Sequence, residues 1–345
     1  MMKDKLSYIN YCIGILVLFF LFTVSINEAK AANYVRVATI GARVPKLDKT
    51  MGPQKMVDEV ILFWKKELEQ VIYDKPDLIV LPENSDFPGG LSQAERNEFV
   101  KVRQNQILDY FASVAKANNC YIVFGMRRED NGGYWNSAVL LDRQGETAGI
   151  YNKNFPTIGE MENGIKVSDE VPVFECDFGR LAIAICYDLN FDNIREKYVA
   201  LKPDIIVFPS VYHGGFVQSI WAYTCRAYFV GSISGNGPKN SRSEILNPLG
   251  EIISSSTNYF DYTVASINLD VELAHLDYNW GRLRALKKKY GNAVTITDPG
   301  SLGAVMIASE DKDVNVKQMI KEFQIELLDE YFDRSHQARK EHLAK

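Results

Sequence analysis

The chain has 345 residues, of which 46% are hydrophobic and 24% are charged, and its formal net charge is -5. This composition excludes a disordered, collagen-like or disulfide-scaffold protein, and the length allows one large domain or two average ones. The negative net charge offers no broad basic surface for a phosphate backbone, so nucleic-acid binding is not expected. The basic cluster Arg282 to Lys289 is interpreted as the solvated face of a helix.

The N-terminus has the pattern of a targeting segment. Lys3 and Lys5 precede an apolar run at 12–24, and small residues at 29–31 form an A-x-A cleavage pattern. The run is short for a membrane span, which needs about 20 apolar residues. We therefore predict that residues 1–31 are a signal peptide and that the protein is exported to the periplasm or the extracellular space. The alternative is an uncleaved membrane anchor with an extracytoplasmic domain, and contact with a membrane is expected only in that case.

In chain order, strand-like runs and helix-like runs alternate beyond the signal, which predicts a layered α/β domain. The predicted elements are a strand at 34–40, a helix within 51–73, a buried strand at 77–81, a long helix at 94–117, strands at 121–126, 136–142 and 147–152, paired strands at 171–176 and 181–186, a helix at 191–200, and a helical run at 314–332.

One pattern occurs twice along the chain. The segments 75–83 and 202–210 both begin with Lys-Pro-Asp, continue as an apolar strand, and end with a proline and a polar residue, Glu83 or Ser210. Proline cannot donate to a strand ladder, so it ends the strand and turns the next side chain out at the carboxyl edge. Sites in open α/β sheets are built at this edge. The repeat predicts two similar halves that face each other.

The cysteines suggest chemistry more than structure. Cys12 belongs to the predicted signal, and the other four are scattered without CxxC pairs: Cys120, Cys176, Cys186 and Cys225. Neither a disulfide framework nor a zinc site is expected from such spacing, and we predict no metal and no cofactor. The sequence leaves open whether Cys120, Cys176 or Cys225 enters a disulfide.

Three polar residues follow predicted strands at their carboxyl ends. Glu83 follows Leu-Ile-Val-Leu-Pro, Lys153 follows the strand at 147–152, and Cys186 closes the strand at 181–186. A lone cysteine in an apolar strand is usually a small buried hydrophobe. The three residues together, each in a distinctive flank, instead predict an active site with Cys186 as the nucleophile.

These flanks resemble the signatures of a known family. LPEN at 81–84, YNKNFP at 151–156 and ICYD at 185–188 occur in the order found in the nitrilase superfamily of carbon-nitrogen hydrolases, with supporting segments at 135–139 and 247–251. The resemblance covers about 34–270. It implies a four-layer αββα sandwich for a hydrolase domain at 32–270. Residues 271–345 would then be a C-terminal extension that packs on the domain or on a partner subunit.

The resemblance also implies a covalent mechanism. Cys186 would attack the substrate and form a thioester, Glu83 would be the general base, and Lys153 would stabilise the oxyanion. Three further residues are candidates for oxyanion or substrate binding: Tyr187 through its backbone N–H, Asn136 and His213. A second glutamate, Glu160, is predicted to orient Lys153 or the substrate nitrogen, and Glu162 is the alternative for that role.

The flank Cys186-Tyr187-Asp188 resembles that of the amidase and carbamoylase branches of the family, which implies a linear amide or carbamoyl amide as the substrate. A nitrile is the alternative substrate, because a spacing of seven residues from Lys153 to Glu160 is also seen in nitrilases. An N-acyltransferase and a catalytically inactive binding protein are further alternatives. The export signal points to an extracytoplasmic small molecule.

We also predict a homodimer or a higher homo-oligomer, as the resemblance implies. The helical run at 314–332 has an apolar stripe that includes Met319, Ile320, Phe323 and Leu327. This stripe must be covered, either by its own subunit or by the partner.

Overall fold

The structure is a computed structural model that describes residues 31–130, 132–234, 242–257 and 259–345. The predicted signal peptide lies outside the described residues, apart from its last residue. The strands are β1 (Tyr34–Ile40), β2 (Leu78–Val80), β3 (Tyr121–Asp130), β4 (Gly133–Leu141), β5 (Thr147–Asn152), β6 (Val173–Cys176), β7 (Gly179–Ile183), β8 (Ile205–Ser210), β9 (Tyr228–Ile233), β10 (Glu244–Leu246), β11 (Ile252–Ser255), β12 (Tyr262–Asn268), β13 (Val271–His275), β14 (Val294–Thr297) and β15 (Ala304–Ser309). The helices are α1 (Pro53–Glu69), α2 (Gln93–Arg103), α3 (Gln106–Asn118), α4 (Ile158–Glu162), α5 (Asp192–Leu201), α6 (Val217–Cys225), α7 (Trp280–Tyr290), α8 (Val316–Phe323) and α9 (Leu328–Leu343).

Two mixed sheets with the same strand pattern form the main body. The first has the order β12-β1-β2-β3-β4-β5, and the second has the order β11-β10-β9-β8-β7-β6. In each sheet three neighbouring strands run parallel, β1-β2-β3 or β7-β8-β9, and antiparallel strands continue on both sides. The two Lys-Pro-Asp segments lead into β2 and β8, which hold equivalent central places. The topology therefore agrees with the prediction of two similar halves.

Helices cover the outer faces of the two sheets. Trp64 of α1 and Phe111 of α3 are buried on the first sheet, and Trp221 of α6 is buried on the second. Between the sheets, apolar side chains such as Val80 of β2 and Val207 of β8 share one core. The central strands β2 and β8 bury both faces, which explains why they are continuous apolar runs. The predicted αββα sandwich is confirmed.

Two predicted helices are each interrupted. The helix predicted at 94–117 is α2 and α3, because Gln104 has a positive φ of 46° and ends α2. The helical run at 314–332 is α8 and α9, because Gln324 adopts the left-handed conformation. Apolar periodicity continues across both breaks, so the spacing alone did not reveal them. The strand predicted at 181–186 ends earlier, at Ile183, which leaves Cys186 beyond the sheet.

The C-terminal segment forms a smaller sheet of its own, with the order β13-β15-β14 and with α7, α8 and α9 against it. Val316, Met319 and Ile320 of α8 are buried in a core with Leu286 of α7 and Ile307 of β15. The apolar face of α8 is therefore covered within its own chain. None of the helices in the described ranges is long and apolar enough to cross a membrane.

Candidate active site

Glu83 lies at the carboxyl end of β2, where Pro82 has ended the strand. Its side chain is buried, with only 4% exposed. Gly125 of β3 passes so close that an added Cβ would lie 2.6 Å from the Glu83 Cα atom. A glycine is therefore needed at 125 for the glutamate to occupy this place.

Lys153 follows β5 and reaches the same carboxylate. Its Nζ atom donates to Glu83 Oε1 at 2.8 Å and to Glu160 Oε2 at 3.0 Å, and the lysine is 1% exposed. Asn136 of β4 donates through Nδ2 to Glu83 Oε1 and to Glu160 Oε1, both at 2.7 Å. The four side chains form one closed network, buried except for the partly exposed Glu160, in which two carboxylates share a cation and an amide.

Cys186 begins a short 3-10 turn just beyond β7, and its φ of 48° is rare for a residue with a side chain. Asp188, which is fully buried, holds this turn in place. Its carboxylate accepts from the Ile185 N–H at 3.0 Å, from the Phe155 N–H at 2.7 Å and from the Tyr151 hydroxyl at 2.9 Å. In the Ile-Cys-Tyr-Asp motif, the aspartate therefore fixes the conformation of the turn that carries the Cys186 thiol.

Electrostatics tie the thiol to the buried network. Burial, and to a smaller extent the charge of Glu83, raise the pKa of Cys186 to about 12, although the charge of Lys153 acts in the opposite direction. Hydrogen bonds with the Val211 backbone and the Ser210 side chain also lower the pKa of Cys186. The resting thiol is therefore protonated at neutral pH, and it needs a base to act as a nucleophile.

Lys153 and Glu160 stabilise each other's charges within the network. Burial alone would lower the pKa of Lys153, but the charges of Glu83 and Glu160 raise it well above its ordinary value. Burial would likewise raise the pKa of Glu160, but the charge of Lys153 and the Thr157 N–H lower it. Lys153 is thus a permanent cation and Glu160 a permanent anion at neutral pH. The arrangement can accept a proton from a thiol and can stabilise an oxyanion.

The remaining predicted site residues, His213, Tyr187 and Glu162, make no hydrogen bond to Lys153 or Glu83 among the described contacts. His213, on the loop after β8, pairs through Nε2 with Glu244 Oε2 at 3.1 Å. Tyr187 is 39% exposed, and its ring packs edge-on against Phe191. Glu162 is exposed on α4, so the structure brings Glu160, and not Glu162, to Lys153.

Sequence reasoning gave no role to two residues next to Cys186. Ser210 was noticed only as the end of the repeated segment, although that repeat placed it opposite Glu83 in the other half. Asp188 was noticed only as part of a motif.

The four described cysteines are free thiols, and Cys120, Cys176 and Cys225 are buried. Within the described ranges, no group of three or more His, Cys, Asp or Glu side chains is arranged to hold a metal ion.

Comparison with known families gives the coarse assignment. The carbon-nitrogen hydrolase family model matches residues 36–271, which is more than half of the chain. The chain belongs to the carbon-nitrogen hydrolase family. This match also confirms membership of the nitrilase superfamily and spans both sheets of the sandwich.

Relatives of this carbon-nitrogen hydrolase include amidases. The deaminated glutathione amidase of Dictyostelium discoideum is 23% identical over 236 residues, covering 60% of this chain and 81% of that protein. The omega-amidase NIT2-B of Xenopus laevis is 20% identical over 228 residues, covering 60% and 81%. The NitFhit fusion protein of Caenorhabditis elegans is 21% identical over 230 residues, covering 59% of this chain, and the chain spans about half (52%) of its length.

Solved structures show the same fold. An amidase from Nesterenkonia sp. matches with a TM-score of 0.59 at 17% identity, covering 76% of this chain and 98% of that one. A carbon-nitrogen hydrolase from Helicobacter pylori G27 matches with a TM-score of 0.55 at 15% identity, covering 75% and 94%.

Proposed function

We propose that this carbon-nitrogen hydrolase cleaves a linear amide or carbamoyl amide through a thioester on Cys186. The buried contact of Lys153 with Glu83, whose charges both act on the Cys186 thiol, carries this proposal. Amidases among the relatives and solved structures support the choice of an amide as the bond that is cleaved.

In the first half-reaction, Glu83 takes the proton of Cys186 as the sulfur attacks the amide carbon. The negative charge that develops on the carbonyl oxygen is stabilised by the ammonium group of Lys153 and by the backbone N–H of Tyr187. Glu83 then returns its proton to the nitrogen, and the C–N bond breaks to release ammonia or an amine. The acyl group remains on sulfur as a thioester.

In the second half-reaction, Glu83 takes a proton from a water molecule that attacks the thioester. The tetrahedral intermediate collapses to the carboxylic acid, and the sulfur recovers its proton from Glu83. Glu160 and Asn136 hold Lys153 and Glu83 in position through both steps. Asn136 donates to Glu83 and to Glu160, and Glu160 accepts from Lys153. The sum is one amide and one water converted to one acid and one amine.

Ammonia release from matched panels of primary amides, N-carbamoyl compounds and nitriles tests the proposal. We expect release from amides or carbamoyl compounds by the purified chain, and no turnover by Cys186→Ala. Cys225→Ala is the matched control, since it removes a buried thiol from the same half of the sandwich and should retain activity. Turnover of nitriles alone would favour a nitrilase, and an active Cys186→Ala would contradict the thioester.

A further inference from the structure

Helix α7 carries a concentration of positive charge. Between Asp277 and Asp298 the chain has five cations and no carboxylate, although its formal net charge is -5. All five cations lie on α7, at Arg282, Arg284 and 287–289. The charge of this helix is therefore opposite in sign to that of the whole chain.

One face of α7 is turned to solvent. Leu283 and Leu286, on the other face, are buried in the C-terminal core and fix the orientation of the helix. Five residues at spacings of one and four make up the exposed face: Trp280, Gly281, Arg284, Ala285 and Lys288. The small residues at 281 and 285 add almost no side chain, so a flat surface can approach this face closely.

Most of the positive charge on α7 is not neutralised by its neighbours. Lys289 forms an ion pair with Glu322 of α8, and Arg282 interacts with the charge of Glu326. The other three cations have no ion pair within the described ranges: Arg284, Lys287 and Lys288. The exposed face of α7 is thus a basic surface that fits an anionic partner.

Two exposed aromatic side chains lie at the start of the same helix. Trp280 is 51% exposed and Tyr278 is 73% exposed, whereas Trp64 and Trp221 are fully buried. Tryptophan and tyrosine are enriched where proteins meet the headgroup layer of a bilayer, and lysine and arginine there contact anionic lipids. The combination of aromatic rings and unpaired cations on one exposed face therefore favours a lipid surface as the partner.

The start of the described chain lies close to α7. The Tyr34 hydroxyl donates to Glu310, and the Glu310 N–H donates to the carbonyl of Ala293, three residues after the end of α7. Nine residues separate Tyr34 from the apolar run at 12–24, and nine residues span at most about 30 Å. The predicted signal or anchor therefore joins the domain beside this helix.

We propose that the exposed face of α7 binds the surface of an anionic lipid bilayer, with Trp280 in the headgroup layer and Arg284 and Lys288 against lipid phosphates. The inference goes beyond the proposed function, because α7 belongs to the C-terminal segment and carries no residue of the candidate active site. It also differs from the expectation that the protein meets a membrane only through an uncleaved anchor.

Vesicle binding by the chain that starts at Ala32 tests the inference. The buried cores lie within residues 35–328, so this chain retains them. We expect it to sediment with vesicles of phosphatidylglycerol and phosphatidylcholine in equal parts, and hardly at all with pure phosphatidylcholine. The double variant Arg284→Glu, Lys288→Glu should bind at least about 30-fold more weakly, because each basic residue at an anionic surface strengthens binding about fivefold.

The matched control is the double variant Lys65→Glu, Lys66→Glu. It makes the same change of charge at two exposed lysines of α1, and it should bind the vesicles as the parent does. Fluorescence gives a second readout that needs no charge variant. Brominated phosphatidylcholine in the mixed vesicles should quench part of the tryptophan emission of the parent, and Trp280→Phe should remove this quenching while binding persists.

Several results would overturn the inference. These are equal binding to both kinds of vesicle, parental binding by the α7 double variant, and bound parent without quenching. Binding to soluble polyphosphate but not to vesicles would assign the face to a different anionic partner. A smaller assembly of the α7 double variant in light scattering would make the face a subunit contact. Ammonia release without vesicles should be the same in the parent and in both double variants, so the failure of one proposal leaves the other standing.

Discussion

Glu160→Gln is the variant that tests the buried network most finely. The carboxylate of Glu160 contacts Lys153 Nζ at 3.0 Å and Asn136 Nδ2 at 2.7 Å. Glutamine keeps one acceptor oxygen, but its NH2 group must face one of these two donors. The change therefore removes a hydrogen bond to a charged group, which contributes about 1.5–3 kcal/mol. Since 1.4 kcal/mol is a factor of about ten, we expect kcat to fall roughly 10- to 100-fold.

The effect should fall on kcat and leave KM nearly unchanged, because Lys153 acts on an oxyanion that forms only in the transition state. Steady-state ammonia release measures both constants. Glu162→Gln is the control: it makes the same change two residues further along α4, on an exposed side chain, and should behave as the parent. Equal losses in both variants, or a loss only in Glu162→Gln, would refute the assignment of Glu160 as the residue that positions Lys153.

Three further predictions concern the turn, the other thiols and the assembly. Burial raises the pKa of Asp188 to about 6, so the ionised carboxylate opposes folding above that pH. As the pH falls from about 7.5 to 5, the free energy of unfolding of the parent should therefore rise by about 1 kcal/mol relative to that of Asp188→Asn. Urea unfolding measures both, and an equal pH dependence of the two proteins would contradict this. Alanine at Cys120, Cys176 or Cys225 should retain ammonia release, whereas loss of activity in all three without unfolding would show that Cys186 is not the sole functional thiol. Light scattering should show a dimer or a larger oligomer, and a monomer at micromolar concentration would refute the predicted oligomeric state. A chain ending at residue 335 should stay assembled, since the exposed end of α9 is not needed for the C-terminal core.

The layered α/β class and the strand-end positions of Glu83 and Lys153 were accessible from the sequence because their signals are local, whereas the four-layer sandwich and the roles of Asn136 and Glu160 were implied by the family resemblance. A proline after an apolar strand places Glu83 at a strand end, and the repeat of that pattern at Ser210 reflects the equivalent places of β2 and β8. Lys153 likewise follows its strand directly. Such signals need no knowledge of contacts between distant segments, since the end of a strand in an α/β sheet is already a defined place.

What escaped the sequence depends on single backbone angles and on contacts across the fold. Gln104 and Gln324 end their helices through positive φ values, although glutamine is not a common helix breaker. The place of Arg127 opposite Asn136 depends on the register between β3 and β4, which no local pattern encodes. His213 pairs with Glu244, which lies 31 residues further along the chain. The sequence, which made His213 a candidate for substrate binding, contains no local pattern that predicts this pair.

The central claim is that Cys186 carries the acyl group and that Glu83 makes this possible. Mass spectrometry of protein quenched during turnover of a slow amide tests it most directly. We predict that the peptide containing Cys186 gains the mass of the amide less ammonia, and that Glu83→Gln, which cannot take the thiol proton, shows no such gain. An acyl group on another residue, or turnover at the full rate without any acyl-enzyme, would contradict the account.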